Sequence, residues 1–248
     1  MQTDIKNELD KSPERVKRMF NSIAGWYDFL NHFFSLGLDI YWRRRSVKLA
    51  YSGVCVESVG KFLALDVCCG TGDMLCEFVR FGERLGLSCE FSGVDFSESM
   101  IGIASRKLPA ISGRLVVGDA MELPFGDNIF CVVSCAFGLR NICDADKGLS
   151  EMIRVCQSGG VVAILEFSMP QNRLIKYPYR FYFEYILPKI GELLAWNCDD
   201  AYNYLPKSVI TFDSPKEIAD KMKSKGLNEI KIVPMTFGIT NLIYGKKS

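Results

Sequence analysis

Leu65-Asp66-Val67-Cys68-Cys69-Gly70-Thr71-Gly72-Asp73 is the stretch on which the fold turns. It closes a short apolar run that begins at Phe62 and opens a helical pattern that continues to Arg84. Glycines at 70 and 72 let a ligand approach the backbone closely. The helix start that follows offers unpaired N–H groups and the positive end of a dipole. A strand, a glycine turn and a helix in this order suit a nucleotide phosphate or an amino-acid carboxylate.

Downstream, the same alternation repeats. Phe91 to Asp95 reads as a second strand and Glu98 to Lys107 as a helix. Leu115 to Gly118 and Ile129 to Ala136 read as the third and fourth strands. Lys147 to Val155 is helical, and Val161 to Phe167 is a fifth strand after a Gly159-Gly160 turn. Alternating strands and helices imply parallel βαβ units and a doubly wound α/β sheet. Ser214-Pro215-Lys216-Glu217 starts a helix that stops at Gly226, followed by strands at Glu229 to Val233 and Thr240 to Tyr244. The link between those two is short, so they form an antiparallel hairpin at one edge. Upstream, residues 13–34 read as one helix, with Ser12 as cap and Pro13 in the first turn. After a break at Ser35-Leu36-Gly37, Asp39 caps a second, basic helix that runs to Leu49.

Composition narrows the chemistry. The 248 residues are 48% hydrophobic, enough for one sizeable core. A formal charge of +1 argues against nucleic acid as a partner. Ten cysteines include no C-x-x-C pair, and the single histidine, His32, has no cysteine near it, so no metal cluster is expected. Most of the cysteines sit in apolar runs and read as reduced, buried small hydrophobes. Met1 to Asp10 lacks the apolar core of a secretory signal, and no apolar run approaches the roughly 20 residues of a membrane helix. These features point to the cytoplasm.

Two acids follow the glycine turn at strand ends. Asp95 can accept hydrogen bonds from both hydroxyls of a ribose, and Asp119 can meet an adenine amine. Asp66 either holds the turn through backbone N–H groups or touches the ligand. A dinucleotide fingerprint would need a third glycine at position 75, which is Leu75. S-adenosylmethionine has no phosphate and needs less clearance. L-D-x-x-x-G-T-G with two further acids resembles the class I S-adenosylmethionine methyltransferases. Their first glycine is replaced here by Cys68, which is acceptable if that residue keeps φ below zero.

Other blocks sharpen the resemblance. They are Tyr27-Asp28-Phe29-Leu30-Asn31, Phe137-Gly138-Leu139-Arg140-Asn141, Leu165-Glu166-Phe167-Ser168 and Asp199-Asp200-Ala201-Tyr202-Asn203-Tyr204-Leu205. Together they resemble the ubiquinone/menaquinone biosynthesis C-methyltransferase family from about Val16 to Gly245. The chain departs from that family at Asp39, where a histidine is common, and at Gln157-Ser158, where Lys-Pro is usual. The resemblance implies a Rossmann-like class I methyltransferase sandwich: a mostly parallel seven-stranded sheet, an antiparallel C-terminal hairpin strand and a helical N-terminal cap. One domain, 1–248, then divides into a cap (1–60), a cofactor-binding core (61–168), a substrate-lid insertion (169–212) and a C-terminal helix and hairpin (213–248).

The resemblance further implies S-adenosyl-L-methionine as cofactor and methylation of a ring carbon on a prenylated quinol, with demethylmenaquinol favoured over the ubiquinone precursor. Gly70, Thr71, Gly72, Asp95, Asp119 and Ala120, with Asp66, are the expected cofactor residues. Arg140, Asn141 and Asp39 are the expected catalytic residues, and Tyr27 and Tyr202 the expected substrate contacts. Arg140 would stabilise a developing oxyanion; its structural alternative is an ion pair with Asp144 or Asp146. Glu166 could close the site beneath the substrate or pair with Arg140. Leu174 to Trp196 is aromatic and partly basic, and Pro178 and Pro188 argue against one long helix there. That segment suits a lid over an apolar tail, a peripheral membrane contact or a homodimer interface. The competing functions are a methyltransferase acting on another small molecule, a nicotinamide oxidoreductase and a non-catalytic quinone-binding protein.

Overall fold

A computed structural model describes residues 10–54, 61–186, 189 and 199–248; the side chains at 112, 184 and 199–203 lie outside that description. Among the described residues three helices come first: α1 (Pro13–Ile23), α2 (Tyr27–Phe34) and α3 (Leu38–Gly53). The core alternates β1 (Phe62–Val67), α4 (Asp73–Leu85), β2 (Cys89–Asp95), α5 (Glu98–Lys107), β3 (Leu115–Val117), β4 (Phe130–Ala136), α6 (Ala145–Val155) and β5 (Cys156–Phe167). Then come α7 (Arg173–Phe181), α8 (Asp199–Thr211), α9 (Pro215–Ser224), β6 (Leu227–Met235) and β7 (Thr240–Lys247).

The seven strands form one sheet in the order β3-β2-β1-β4-β5-β7-β6. β1 to β5 pair with one another in parallel, and β7 is antiparallel to both β5 and β6. The expected hairpin is present, with its second strand inserted next to β5. Burial explains that order. Leu242 and Ile243 of β7 are fully buried, whereas β6 is largely exposed and suits an edge. One face of the sheet packs under α3, α4 and α5 through Tyr51, Phe62, Phe78 and Phe91. The other packs under α6 and α9 through Leu149, Met152, Ile218 and Met222.

Three local expectations are corrected. The helix expected over 13–34 breaks after Ile23, where Trp26 N–H turns back to the Ile23 carbonyl at 2.9 Å and Gly25 weakens propagation. The break gives each half its own inward face: Val16, Met19 and Ile23 on α1, Leu30 on α2. Gly37, at φ 75°, precedes α3, so Asp39 lies in the first turn and its carboxylate is free for other work. β5 starts at Cys156 and runs through Gly159 at φ 76°; the expected turn is a bulge that shifts the β4–β5 register from Phe130↔Cys156 to Val132↔Val161. α7 accommodates Pro178 and ends at Phe181, where the chain widens into a π-helical turn, Tyr182–Ile186; Pro188 lies outside the described residues.

Candidate active site

The sheet order reverses between β1 and β4, and ligands of open α/β sheets bind at the carboxyl ends of strands flanking such a point. A cavity of ≈ 260 Å³ lies there. Cys68 and Gly70 after β1, Asp95 and Phe96 after β2, and Gly118 to Met121 after β3 line it, and α1 roofs it through Val16, Lys17 and Phe20. Lys17 meets Glu98 at 3.2 Å, and Ser97 Oγ donates to Asn21 Oδ1 at 2.5 Å, so the roof is latched to the start of α5.

Asp95 organises this cavity. Gly70 N–H donates to its Oδ2 and Ser97 N–H to its Oδ1, both at 2.9 Å. Each oxygen retains further acceptor capacity. Burial pushes its pKa above the usual carboxylate range despite those two bonds. Ser97, not Asp95, caps α5, accepting from Met100 N–H at 3.2 Å. Asp119 is exposed in the cavity and accepts from Met121 N–H at 2.8 Å, with buried Ala120 beside it.

The remaining expected cofactor residues stand behind the wall and shape it. Asp66 faces Ser134 across the β1–β4 register, and Ser134 Oγ donates to its Oδ1 at 2.6 Å. The Thr71 hydroxyl donates to Asp28 on α2. Gly72 has φ 86°, and a Cβ there would lie 3.3 Å from Ala104 Cβ, so it lets α4 approach α5. Leu75 packs against Gly93, where a Cβ would lie 2.8 Å from Leu75 Cδ1. Cys68 departs from expectation: its φ is 55°, a left-handed conformation that costs a non-glycine residue about 1–2 kcal/mol. Gly138 supplies the clearance, since a Cβ there would fall 2.4 Å from Cys68 Cβ.

Burial pushes the Asp66 carboxyl up to about 7, against the Ser134 bond. A carboxyl raised on folding binds its proton more tightly in the native state, so its contribution to stability falls as pH rises from the usual carboxylate range to about 7. Asp66→Asn should therefore gain stability relative to wild type across that window and hold a constant advantage above it. Urea denaturation at several pH values checks this; a pH-independent difference would refute it.

A second cavity, ≈ 390 Å³, adjoins the first. Phe20, Tyr27, Phe137 and Asn141 line both. The second is walled by Leu30, Phe34, Trp42, Phe167, Phe183 and Leu205, with Arg43 and Arg140 as its cations. Phe137 and Phe167 stack at 4.5 Å, with the Arg43 guanidinium 5.5 Å from the Phe137 centroid and that of Arg140 5.5 Å from the Phe167 centroid.

The Phe-Gly-Leu-Arg-Asn block builds this junction. Phe137 sits at φ 59°, and its carbonyl accepts from Arg140 Nη1 at 2.5 Å and Asn141 Nδ2 at 3.3 Å. Arg140 is 6% exposed and pairs with Glu166, which is 1% exposed, at 2.6 Å. Its Nε donates to Ser208 Oγ at 3.3 Å. Asp144 instead caps α6 and Asp146 meets Lys221, so neither is the partner of Arg140. Asn141 Oδ1 is buried without a hydrogen-bond partner among the described residues.

Asp39 lines the second cavity but is fully engaged: Ser35 Oγ donates to it at 2.7 Å, His32 Nδ1 lies at 2.8 Å, and Arg43 pairs with it. Burial alone would raise its pKa; Ser35, Arg43 and His32 outweigh burial and hold the carboxyl below the usual range. Beyond what the spacing suggested, His32, Asp39 and Asp73 come within 4.8 Å of one another. Arg43 serves that cluster as its cation, reaching Asp73 at 3.7 Å. Lys107 ties Asp73 to Asp28 at 2.8 and 2.5 Å, joining α2 and α3 to the cofactor turn. The Tyr202 side chain lies outside the described residues. Tyr204 and Tyr179, not singled out in the sequence, line the second cavity.

The sequence profile of the ubiE/COQ5 methyltransferase family matches residues 8–247. The chain belongs to that family. The ubiquinone/menaquinone biosynthesis C-methyltransferase UbiE of Geobacter sulfurreducens is 40% identical over 243 residues, covering 96% of this chain and 91% of its own length. The demethylmenaquinone methyltransferase of Deinococcus radiodurans is 40% identical over 247 residues, covering 98% and 96%. Among solved structures, the DszA carbon methyltransferase matches with TM-score 0.59 at 15% identity, over 93% of this chain and 65% of its own. The Haemonchus contortus phosphoethanolamine N-methyltransferase 2, solved with S-adenosylhomocysteine, matches with TM-score 0.53 at 17% identity, over 75% and 49%. At those identities the likeness establishes the class I methyltransferase fold.

This ubiE/COQ5 member uses S-adenosylmethionine, and its first cavity presents carboxylate acceptors and apolar walls that suit it. Asp95 and Asp119 present acceptors of the kind a ribose diol and an adenine amine require. Val94, Phe96, Met100 and Ile142 supply apolar walls for a base. A Cβ at Gly70 would meet only Tyr27, at 3.9 Å, leaving open space above the turn for an amino-acid moiety.

Proposed function

We propose that this chain methylates a ring carbon of a prenylated quinol, with demethylmenaquinol as the preferred acceptor. The observation that carries the reading is the pair of cavities sharing one wall, the first setting two carboxylates among backbone and apolar side chains, the second setting a buried arginine among aromatic rings. The name of the Deinococcus radiodurans relative supports the choice of acceptor. Bound S-adenosylmethionine supplies an electrophilic methyl group. The remaining tasks fall to the chain. A ring carbon becomes nucleophilic when the neighbouring hydroxyl loses its proton and charge spreads into the ring. Arg140 stabilises that oxyanion and, staying protonated itself, leaves the proton to water. Asn141 Oδ1 accepts from the hydroxyl before ionisation and orients the ring. Asp39 is a positioning residue that holds Arg43, because its depressed pKa makes it a weak proton acceptor. Tyr27 spans both cavities and aligns the ring, and Gly70, Asp95, Asp119 and Ala120 hold the cofactor with Asp66, Thr71 and Gly72 shaping the turn.

An apolar prenyl tail needs a route from a bilayer. Among the described residues no helix is long and apolar enough to cross a membrane. Leu36 and Leu38 carry the second cavity outward, and next to them Trp26, Phe29 and Phe33 form an exposed aromatic stripe on α2. Tyr177, Phe181 and Tyr185 are exposed near exposed Lys176, and Tyr182 bonds the Phe34 carbonyl at 3.2 Å, placing the two surfaces side by side. Aromatic rings interleaved with cations favour a membrane interface over a second copy of the chain.

Incubation with S-adenosylmethionine and either reduced demethylmenaquinone or the ubiquinone precursor, presented in anionic phospholipid vesicles, tests the reading. Mass spectrometry should show a methylated ring, faster for the former, with the protein sedimenting with the vesicles. No methylated product from either acceptor would overturn the assignment. S-adenosylhomocysteine should raise the melting temperature and NAD should not.

A further inference from the structure

Two hydroxyls in the aromatic cavity find no partner among the described residues. The oxygens of Tyr179 and Tyr204 are buried without a hydrogen bond to any of them, and both side chains line the cavity. A buried polar group left unpaired is destabilising, so two in one cavity indicate a ligand that completes them. They come from different elements and face different ends. Tyr204, on α8, packs with Val16, Met19 and Ile23 of α1 and with Phe20 and Tyr27. Phe20 and Tyr27 belong to the wall shared with the cofactor cavity, so Tyr204 stands at that end. Tyr179, on α7, stacks on Phe183 at 5.0 Å and packs with Leu30, Phe34, Phe167 and Val209, none of which lines the cofactor cavity. The positive charge of Arg140 bears on both phenols.

We propose that Tyr204 and Tyr179 are binding residues for the two oxygens of a para-dihydroxy aromatic ring. Tyr204 takes the oxygen beside the carbon that accepts the methyl group, and Tyr179 takes the oxygen across the ring. The assignment rests on the quinol reading above and specifies how the ring is recognised. A phenol can donate or accept, so it pairs with a ring hydroxyl and with the oxyanion that replaces it. Burial pushes both tyrosines further above the physiological range, so they remain neutral donors and do not compete for positive charge. Recognition at both ends excludes rings with a single oxygen, since a site built to bond a hydroxyl rejects analogues that lack it.

Tyr179→Phe and Tyr204→Phe each remove one oxygen and keep the ring. Tyr179→Phe should raise KM for the quinol about tenfold with kcat little changed. Tyr204→Phe should lower kcat as well, by about tenfold, because its partner oxygen becomes charged during the reaction. Neither should weaken S-adenosylhomocysteine binding, and the ligand-free melting temperature should stay level or rise, since each variant removes an unpaired polar atom. A structural hydroxyl would instead lower it. On the substrate side, wild type should disfavour an acceptor lacking the distal hydroxyl, and Tyr179→Phe should treat the two acceptors nearly alike. Wild-type turnover with unchanged variants, or variants whose only change is a lower melting temperature, overturns the tyrosine assignment alone. Failure of the wild type to methylate any quinol overturns the quinol reading, and this assignment with it.

Discussion

Arg140→Lys is expected to cut kcat on the quinol by about a hundredfold while leaving S-adenosylhomocysteine affinity within about threefold. Arg140 is held by a planar fork: Nη1 bonds Glu166 at 2.6 Å and the Phe137 carbonyl at 2.5 Å, and Nε reaches Ser208 at 3.3 Å. A lysine ammonium keeps the charge but cannot hold three partners fixed in one plane. The charge survives, so loss of turnover measures position. Deleting one member is a poorer test. It strands a buried charge and should cost about 3–5 kcal/mol of stability, which urea denaturation of Glu166→Leu would show. Replacing both with leucine removes the stranded charge, so Arg140→Leu with Glu166→Leu should recover much of that stability while turnover stays lost. Equal losses of turnover and cofactor affinity in Arg140→Lys would assign the pair to structure. Turnover restored in the double variant would do so more strongly.

Arg140 also shows what can be read from one dimension. A cation just past the fourth strand, on the cofactor edge, follows from order and spacing alone. Its partner does not. Asp144 and Asp146 are near in sequence, yet α6 takes one as its cap and directs the other to Lys221. Glu166 lies beside Arg140 because Ala136 pairs with Leu165 across β4 and β5, a contact between segments far apart in the chain. The glycine turn was legible for a similar reason: strand, turn and helix are consecutive. Which of its side chains face the ligand depends on register. Asp66 points at Ser134 and Thr71 at Asp28, and neither orientation is encoded locally. The aromatic cavity draws on α1, α2, α7 and α8, whose packing no window of sequence contains. Tyr204 was within reach, since it lies four residues before buried Ser208 on one helical face, but helix phase is visible only once the helix ends are known.

Asp95→Ala should weaken S-adenosylhomocysteine by about a hundredfold, because the side chain has two jobs. In the proposed site it offers acceptors to the cofactor, and it fixes the turn through Gly70 N–H and the start of α5 through Ser97 N–H. Asp95→Asn separates them. The amide keeps the volume and one acceptor oxygen, but its NH₂ must face one of those two donors, so one bond is lost and a repulsion gained. Its affinity should fall between the alanine variant and wild type. Protonation supplies an independent test. Burial raises the Asp95 pKa, so the free protein takes up a proton at a higher pH than an ordinary carboxylate would. Ribose hydroxyls donate to the carboxylate and favour its charged form, so binding opposes that proton. Affinity should therefore weaken as pH falls, beginning above the usual carboxylate range, and the dependence should be absent in Asp95→Asn. Calorimetric titration between about pH 5 and 8 resolves this. If wild type and Asp95→Asn weaken in parallel, the titrating group lies elsewhere; Asp66, raised to about 7 beneath the same turn, is then the first to replace.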